Sequence, residues 1–85
     1  MSDDNAKITI YGAEWCPPCH MTKNYLKSLG VDYKYVNVDE SPEGGLKAVE
    51  ISGQRGIPVI DFDGDVAVGF DRPLIDHLLK QHKLV

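Results

Sequence analysis

The chain is poor in cysteine, has no excess of basic charge and no long apolar run, and each shortage excludes a class of function. Two cysteines in 85 residues, three positions apart, cannot build a disulfide framework. The loop they would close is so short that a cross-link removes almost no chain entropy. Nine Lys and Arg against 13 Asp and Glu leave a formal net charge of −4. Without a basic block to neutralise phosphates, neither nucleic acid nor an acidic membrane surface is an expected partner. No apolar stretch reaches the roughly 20 residues needed to span a bilayer, and Met1–Lys7 lacks the apolar core of a secretory leader. A soluble, cytoplasmic protein is expected, and a monomer. Repeats, low-complexity tracts and linkers are missing as well, so the length implies one domain over 1–85 with one modest core. The polar residues 1–6 read as a frayed terminus.

What the chain does have is Trp15-Cys16-Pro17-Pro18-Cys19-His20, which holds both cysteines. Ahead of it, Lys7-Ile8-Thr9-Ile10-Tyr11 is a strand-like run rich in β-branched and aromatic residues. Behind it, Met21, Tyr25, Leu26 and Leu29 recur at helical spacing. The pair therefore sits at a strand-to-helix junction, with Cys16 at the helix start and Cys19 one turn in. The first turn of a helix has unpaired N–H groups and a partial positive charge that favour an anion beside them. A thiolate is such an anion, and the thiolate is the form that attacks disulfides. C-x-x-C beside a βαβ pattern, with no export signal, reads as a redox motif.

The remaining elements follow from local signals. The first strand covers about Lys7–Tyr11, and the helix after it, with Pro17 at its first position, runs to about Leu29 before Gly30. Asp32–Val38 reads as a second strand, with Tyr33 and Tyr35 on one face and Val36 and Val38 nearer the other. Ser41-Pro42-Glu43 starts a second helix, whose buried face is expected from Leu46, Val49 and Ile51, with Gly44 and Gly45 weakening its opening. Val59–Phe62, the turn Asp63-Gly64 and Asp65–Val68 form a hairpin. Asp71 caps a last helix lined by Leu74, Ile75, Leu78 and Leu79. The order β-α-β-α-β-β-α, with a right-handed crossover between the first two strands, gives an α/β fold: a four-stranded mixed sheet flanked by three helices. Ligands in such folds gather at the carboxyl ends of the parallel strands, where Cys16 falls.

These residues resemble the thioredoxin superfamily in its short, glutaredoxin-sized form, over Lys7 to about Leu79. Thioredoxins carry an extra strand and helix ahead of the motif, and Cys16 comes too early for them. Gly56-Ile57-Pro58-Val59 matches the family's cis-proline loop, so the resemblance implies a cis Ile57–Pro58 bond lying against the active site. Cys16-x-x-Cys19-His20-x-Thr22-Lys23, Val36-Asn37-Val38-Asp39 with Pro42 nearby, and Gly69-Phe70 before the last helix are similar to the NrdH-redoxins. Those are small glutaredoxin-like proteins that behave like thioredoxins, which implies reduction of disulfide-containing proteins, ribonucleotide reductase among them, with electrons from thioredoxin reductase. Glutaredoxins carry a basic residue shortly before the first cysteine for the glutathione carboxylate; Gly12, Ala13 and Glu14 offer none. Their glutathione clamp is reduced here to Val68-Gly69-Phe70-Asp71, and Gly56-Ile57-Pro58 replaces their Thr-Val-Pro. Thioredoxin reductase is therefore expected as the electron source, with a glutathione-dependent glutaredoxin as the alternative. Ile10 stands where thioredoxins have a buried acid, and Cys-Pro-Pro-Cys is not the usual core of an NrdH-redoxin.

On this reading Cys16, the more exposed thiol, is the nucleophile, and Cys19 resolves the mixed disulfide to leave a redox-active Cys16–Cys19 disulfide. No bound cofactor or metal is expected. Trp15, Pro17, Ile57, Pro58, Gly69 and Phe70 are the expected substrate contacts, Trp15 as a rim residue and Phe70 in the groove or else in the core. Pro17 and Pro18 remove two N–H groups, leaving the amides of Cys19 and His20 as candidate thiolate donors. Weaker thiolate stabilisation implies a reducing couple, near about −270 mV rather than the roughly −200 to −230 mV of glutaredoxins. His20 either steadies the thiolate or is an exposed polar residue, and Lys23 reads as a solvated helix residue. Two rival readings come from other classes. Cys16-Pro17-Pro18-Cys19-His20 is also the haem-attachment pattern, against which the prolines and the strand–helix context stand. A zinc module would add His77 and His82, but the intervening stretch is too long and too structured for a zinc finger. A disulfide-forming oxidant or isomerase fits poorly without an export signal.

Overall fold

A computed structural model describes residues 6–85 of the chain. The terminus read as frayed lies, for residues 1–5, outside the described residues. Seven elements follow in the expected order: β1 (Ile8–Gly12), α1 (Pro17–Ser28), β2 (Lys34–Asn37), α2 (Pro42–Ser52), β3 (Val59–Phe62), β4 (Asp65–Val68) and α3 (Arg72–Gln81). The strands form one sheet in the order β2-β1-β3-β4, with β1 and β2 parallel and the other two pairings antiparallel. Among the described residues no helix is long and apolar enough to cross a membrane.

Each helix starts where its local chemistry allows. Proline occupies an early position in all three, where a missing N–H goes unnoticed, and the residue before each supplies a side-chain acceptor. Ser41 Oγ accepts from Gly44 N–H at 3.0 Å, and Asp71 Oδ1 accepts from Leu74 N–H at 3.3 Å. In α1 that residue is Cys16. Gly53, left-handed at φ 70°, closes α2, with its N–H donating to Val49 O.

Strand register decides which side chains share a face. Ile10 pairs with Ile60 and Ile60 with Ala67, while Ile8 pairs with Phe62. These residues, with Leu26 of α1 and Ile75, Leu78 and Leu79 of α3, form the larger core cluster. The opposite face gathers Tyr11, Val59 and Ala48 of α2, with Val36, Val38, Ile51 and Val66 around them. Tyr33 and Tyr35 border the first cluster and Val36 and Val38 the second, as the alternation predicts. β2 is shorter than Asp32–Val38 because β1, its one partner, offers only Ile8–Gly12; the ladder ends on Val38 N–H donating to Gly12 O at 2.9 Å.

The helix faces differ from the hydrophobic pattern in two places. In α1 the buried residues are Cys19, Thr22 and Leu26, whereas Met21 and Leu29 are exposed. Thr22 is tolerated inside because its Oγ1 donates to Pro18 O at 2.9 Å. In α2 the correction is larger. Leu46 is 73% exposed and Val49 is exposed too, while Gly44 and Ala48 are buried. The cause is distance: a Cβ on Gly44 would overlap the Val36 side chain, so α2 lies on the sheet too closely for large residues along its inner stripe. Gly44 is thus the contact that seats α2, not a weak opening.

Opposite effects are expected from alanine at the two adjacent glycines. Gly44→Ala forces β-branched Val36 aside and should cost about 1–3 kcal/mol, the usual penalty of overpacking. Gly45→Ala meets nothing nearer than 3.8 Å and should add about 0.5–1 kcal/mol by reducing chain entropy. Urea denaturation of both variants checks the pair.

Candidate active site

The site is built where β1 ends. Strand β1 delivers Gly12 and Ala13, the chain turns through Glu14 and Trp15, and Cys16 becomes the N-cap of α1 in extended conformation (φ −101°, ψ 104°). A sulfur takes the place of the usual capping oxygen. Cys19 N–H donates to Cys16 Sγ at 3.3 Å, which answers one of the free amides of the first turn. The other amide expected to serve the thiol does not do so: His20 N–H donates to the Cys16 carbonyl at 3.3 Å and belongs to the helix ladder. The His20 ring is occupied as well, its Nε2–H donating to Glu14 O at 2.6 Å, and this bond pins the turn ahead of the motif to the helix.

Both cysteines are reduced and buried. Cys16 retains 3% exposure and Cys19 none, so the order of exposure is as expected but Cys16 is far less open than the sequence suggested. Ala13 and Ile57 cover the pair. Cys16 Sγ lies 3.9 Å from the Ile57 carbonyl, directed at it as a weak donor. Burial, reinforced by the hydrogen bond with Cys16, pushes the Cys19 thiol up to about 12. Cys19 therefore rests as a thiol, and the partial positive charge at the helix end is left to Cys16.

A second strand closes the site. The Ile57–Pro58 peptide bond is cis, as the family resemblance implies. Pro58 is buried just ahead of β3, and its carbonyl accepts from Gly69 N–H at 2.8 Å, which joins the Gly69 turn to the proline loop. Of the residues expected around the thiols, Ile57 packs on the pair and continues through Pro58 to Gly69. Pro17 is exposed on the outer side of the helix start. Phe70 is half-buried and packs edge-on to Tyr25 with ring centroids 5.9 Å apart, at the border of the larger core. It belongs with the core rather than the groove.

Trp15 is 69% exposed, which suits a rim residue, yet it is held in place: its indole Nε1–H donates to Asp39 Oδ2 at 2.6 Å. Asp39 is presented by the turn after β2, where its N–H donates to Asn37 Oδ1 at 2.9 Å. Sequence reasoning noted Asn37 and Asp39 as part of a motif but had no signal that Asp39 faces a tryptophan 24 positions earlier. Lys23 is the other departure. It is not a solvated lysine: its side chain is 17% exposed, reaching Glu14 Oε2 at 3.8 Å and lying over the Tyr35 ring at 4.1 Å. Among the described residues no three His, Cys, Asp or Glu side chains gather as a metal site. His82 faces Asp65 at 2.7 Å and stacks on Phe62.

Comparison with known proteins agrees with this geometry. The glutaredoxin family pattern matches residues 8–67. A glutaredoxin-like 8.6 kDa protein in the rubredoxin operon of Clostridium pasteurianum is 40% identical over 74 residues, covering 87% of this chain and 99% of that one. The glutaredoxin-like protein NrdH of Escherichia coli strain K12 is 37% identical over 73 residues, covering 85% and 88%. The solved structure of Escherichia coli NrdH-redoxin superposes with a TM-score of 0.74 at 35% identity, over 84% of this chain and 92% of that one. A buried thiol pair capping the helix after β1, walled by a cis-proline loop on the glutaredoxin sheet, comes with a family match across most of the chain: it belongs to the glutaredoxin family and is a thiol–disulfide oxidoreductase of thioredoxin-like fold.

Proposed function

We propose that the chain is a dithiol reductant of protein disulfides, with Cys16 as the attacking thiol and Cys19 as the resolving thiol. The observation that carries this is the asymmetry of the pair. Cys16 caps the helix with its sulfur at the positive end, and Cys19, one turn in, is fully buried with its thiol pushed up to about 12. Cys16 Sγ attacks one sulfur of a substrate disulfide, forming a mixed disulfide and releasing the first substrate thiol. Cys19 then loses its proton and attacks Cys16 Sγ. The Cys16–Cys19 bond forms, the bond to substrate breaks, and the second thiolate takes up a proton. Two electrons have passed to the substrate. The resolving thiol sits within the same helical turn, which makes the second step intramolecular.

Ile57 packs on the thiols and continues through Pro58 to Gly69, and Trp15, fixed by Asp39, and exposed Pro17 stand outside them. We read these as the contact surface for an extended substrate segment. A buried Cys16 requires such a segment to reach into the site, which favours a protein substrate in intimate contact over a passing small thiol. The electron source that fits is thioredoxin reductase. Glu14 places a carboxylate beside the motif where a glutathione carboxylate would approach, and Arg72, the nearest basic candidate in the reduced clamp, lies over the Tyr25 ring at 4.5 Å. The Escherichia coli NrdH-redoxin relative is described as having a thioredoxin-like activity profile. Ribonucleotide reductase is the protein disulfide we propose as target, and the cytoplasm as the location. The second reading, glutathione as reductant, draws on the relatives named glutaredoxin in Neisseria meningitidis, 40% identical over 63 residues.

Turnover of insulin disulfides should occur with thioredoxin reductase and NADPH and fall to background with glutathione and glutathione reductase. The reverse result assigns the chain to the glutathione branch. Cys16→Ser should abolish turnover, whereas Cys19→Ser should accumulate a mixed disulfide on Cys16, visible as a mass adduct. An adduct on Cys19 in the Cys16→Ser variant, at a comparable rate, would reverse the roles. Equilibration against a glutathione or dithiothreitol buffer should give a couple near about −270 mV, and a value above about −200 mV would contradict a reductant.

A further inference from the structure

Dithiol exchange between Cys16 and Cys19 leaves one nearby charge, that of Lys23, without a task. Lys23 is one helical turn beyond Cys19 on α1 and is withdrawn from solvent. A surface lysine gains little from a single ion pair and loses rotamer freedom when confined, so a confined lysine calls for a reason. Two side chains confine it. Glu14, from the turn ahead of the motif, holds the ammonium at 3.8 Å, and Tyr35, from β2, offers its ring face at 4.1 Å.

The same tyrosine borders the resolving thiol. A Cβ placed on Gly12 would meet Cys19 Sγ at 2.8 Å and Tyr35 Cε1 at 3.1 Å, so sulfur and ring edge flank the same missing side chain. Gly12 is what allows Cys19 and Tyr35 to come together. The Tyr35 hydroxyl is buried and has no hydrogen-bond partner among the described residues. Burial first, and then its neighbours Cys19, Glu14, Cys16 and Asp39, push it up to about 12, so it stays neutral. The groups around Cys19 are therefore Cys16 and Lys23 from α1, the Ala13 backbone from the preceding turn and neutral Tyr35 from β2, with Glu14 reaching Lys23. The Ala13 backbone favours the Cys19 thiolate through a hydrogen bond and Lys23 favours it by its charge; burial and Cys16 oppose it.

We propose that Lys23 is a positioning residue for the resolving step: its ammonium, trapped between Glu14 and the face of Tyr35, lowers the cost of the Cys19 thiolate as that sulfur attacks Cys16. The proposal rests on the dithiol reading above and deepens it. Lys23 does not itself take the proton. In the mixed disulfide Cys19 releases its proton to water, the Cys19–Cys16 bond forms as the Cys16–substrate bond breaks, and the departing thiolate is protonated from water. The ammonium acts on the charge while it resides on Cys19, adding to the Ala13 hydrogen bond, and is screened less than a lysine on an open surface.

The test is single-turnover release of a peptide thiol, followed across pH, in the wild type, Lys23→Met and Lys23→Arg. Methionine keeps an apolar stem against Tyr35 and removes the charge. Arginine keeps the charge and stacks on the ring. Release at neutral pH should slow about tenfold in Lys23→Met, corresponding to a one-unit rise of the Cys19 midpoint, and should recover to within about threefold in Lys23→Arg. Alkylation of Cys16 by iodoacetamide should stay within about twofold in both. Direct titration of Cys19 absorbance in a Cys16→Ser background should show the same upward shift on adding Lys23→Met, independent of turnover. Wild-type release and an unmoved Cys19 midpoint in Lys23→Met would overturn the proposal, as would slowing that arginine fails to rescue. A wild type that transfers no electrons to any disulfide would instead overturn the dithiol reading, so the two failures are distinguishable.

Discussion

The hydrogen bond from Cys19 N–H to Cys16 Sγ is the constraint on which the rest of the site depends. A helix needs an acceptor at its N-cap, and the other two helices meet that need with Ser41 and Asp71. In α1 the acceptor is the reactive sulfur itself, so the geometry that begins the helix is also the geometry that sets the two thiols one above the other. Everything nearby is arranged to keep that turn in place. Pro17 pre-sets the first helical residue, His20 ties the helix back to Glu14, and Cys16 N–H donates to Ala13 O at 3.3 Å. Structure and chemistry share one atom, so replacing Cys16 by a residue without a side-chain acceptor removes a cap as well as a nucleophile.

Small residues make the two close approaches that the fold requires. Gly12 lets Cys19 and Tyr35 meet under the end of β1, and Gly44 lets α2 settle against Val36 on the opposite face. In an 85-residue chain with two thin cores, such contacts matter because there is little spare apolar area to compensate for a displaced helix. The first glycine serves the site and the second the scaffold. Both act through what they omit.

Legibility in the sequence followed the range of the interaction. Helix starts at Pro17, Ser41-Pro42 and Asp71, the Asp63-Gly64 hairpin and the order of elements were readable because each signal lies within a few residues. The sheet faces were readable because alternation in Ile8-Thr9-Ile10-Tyr11 and in Tyr33–Val38 is a local property that register preserves. The inner stripe of α2 was not, since nothing in Leu46 or Val49 reveals how near the sheet will come to Gly44. The exposure of Trp15 beside the motif is readable locally but its anchor, Asp39, is not, because the pairing exists only once β1 and β2 lie side by side. Lys23 was misread for a related reason: an amphipathic stem looks the same in sequence whether its ammonium meets water or an aromatic face. Cys16 was placed correctly at the helix start, but its burial depends on the proline loop, which arrives from 41 residues away.

The indole of Trp15 has a practical consequence. It is the only tryptophan in the chain, it stands directly before the first cysteine, and a carboxylate fixes its orientation. The protein therefore carries a single indole at the threshold of its thiols, excitable apart from its tyrosines at long wavelength and held by a bond that a docking partner would have to accommodate or displace. Emission from this one ring reports on the active-site rim alone, without a label and without background from a second tryptophan elsewhere in the fold.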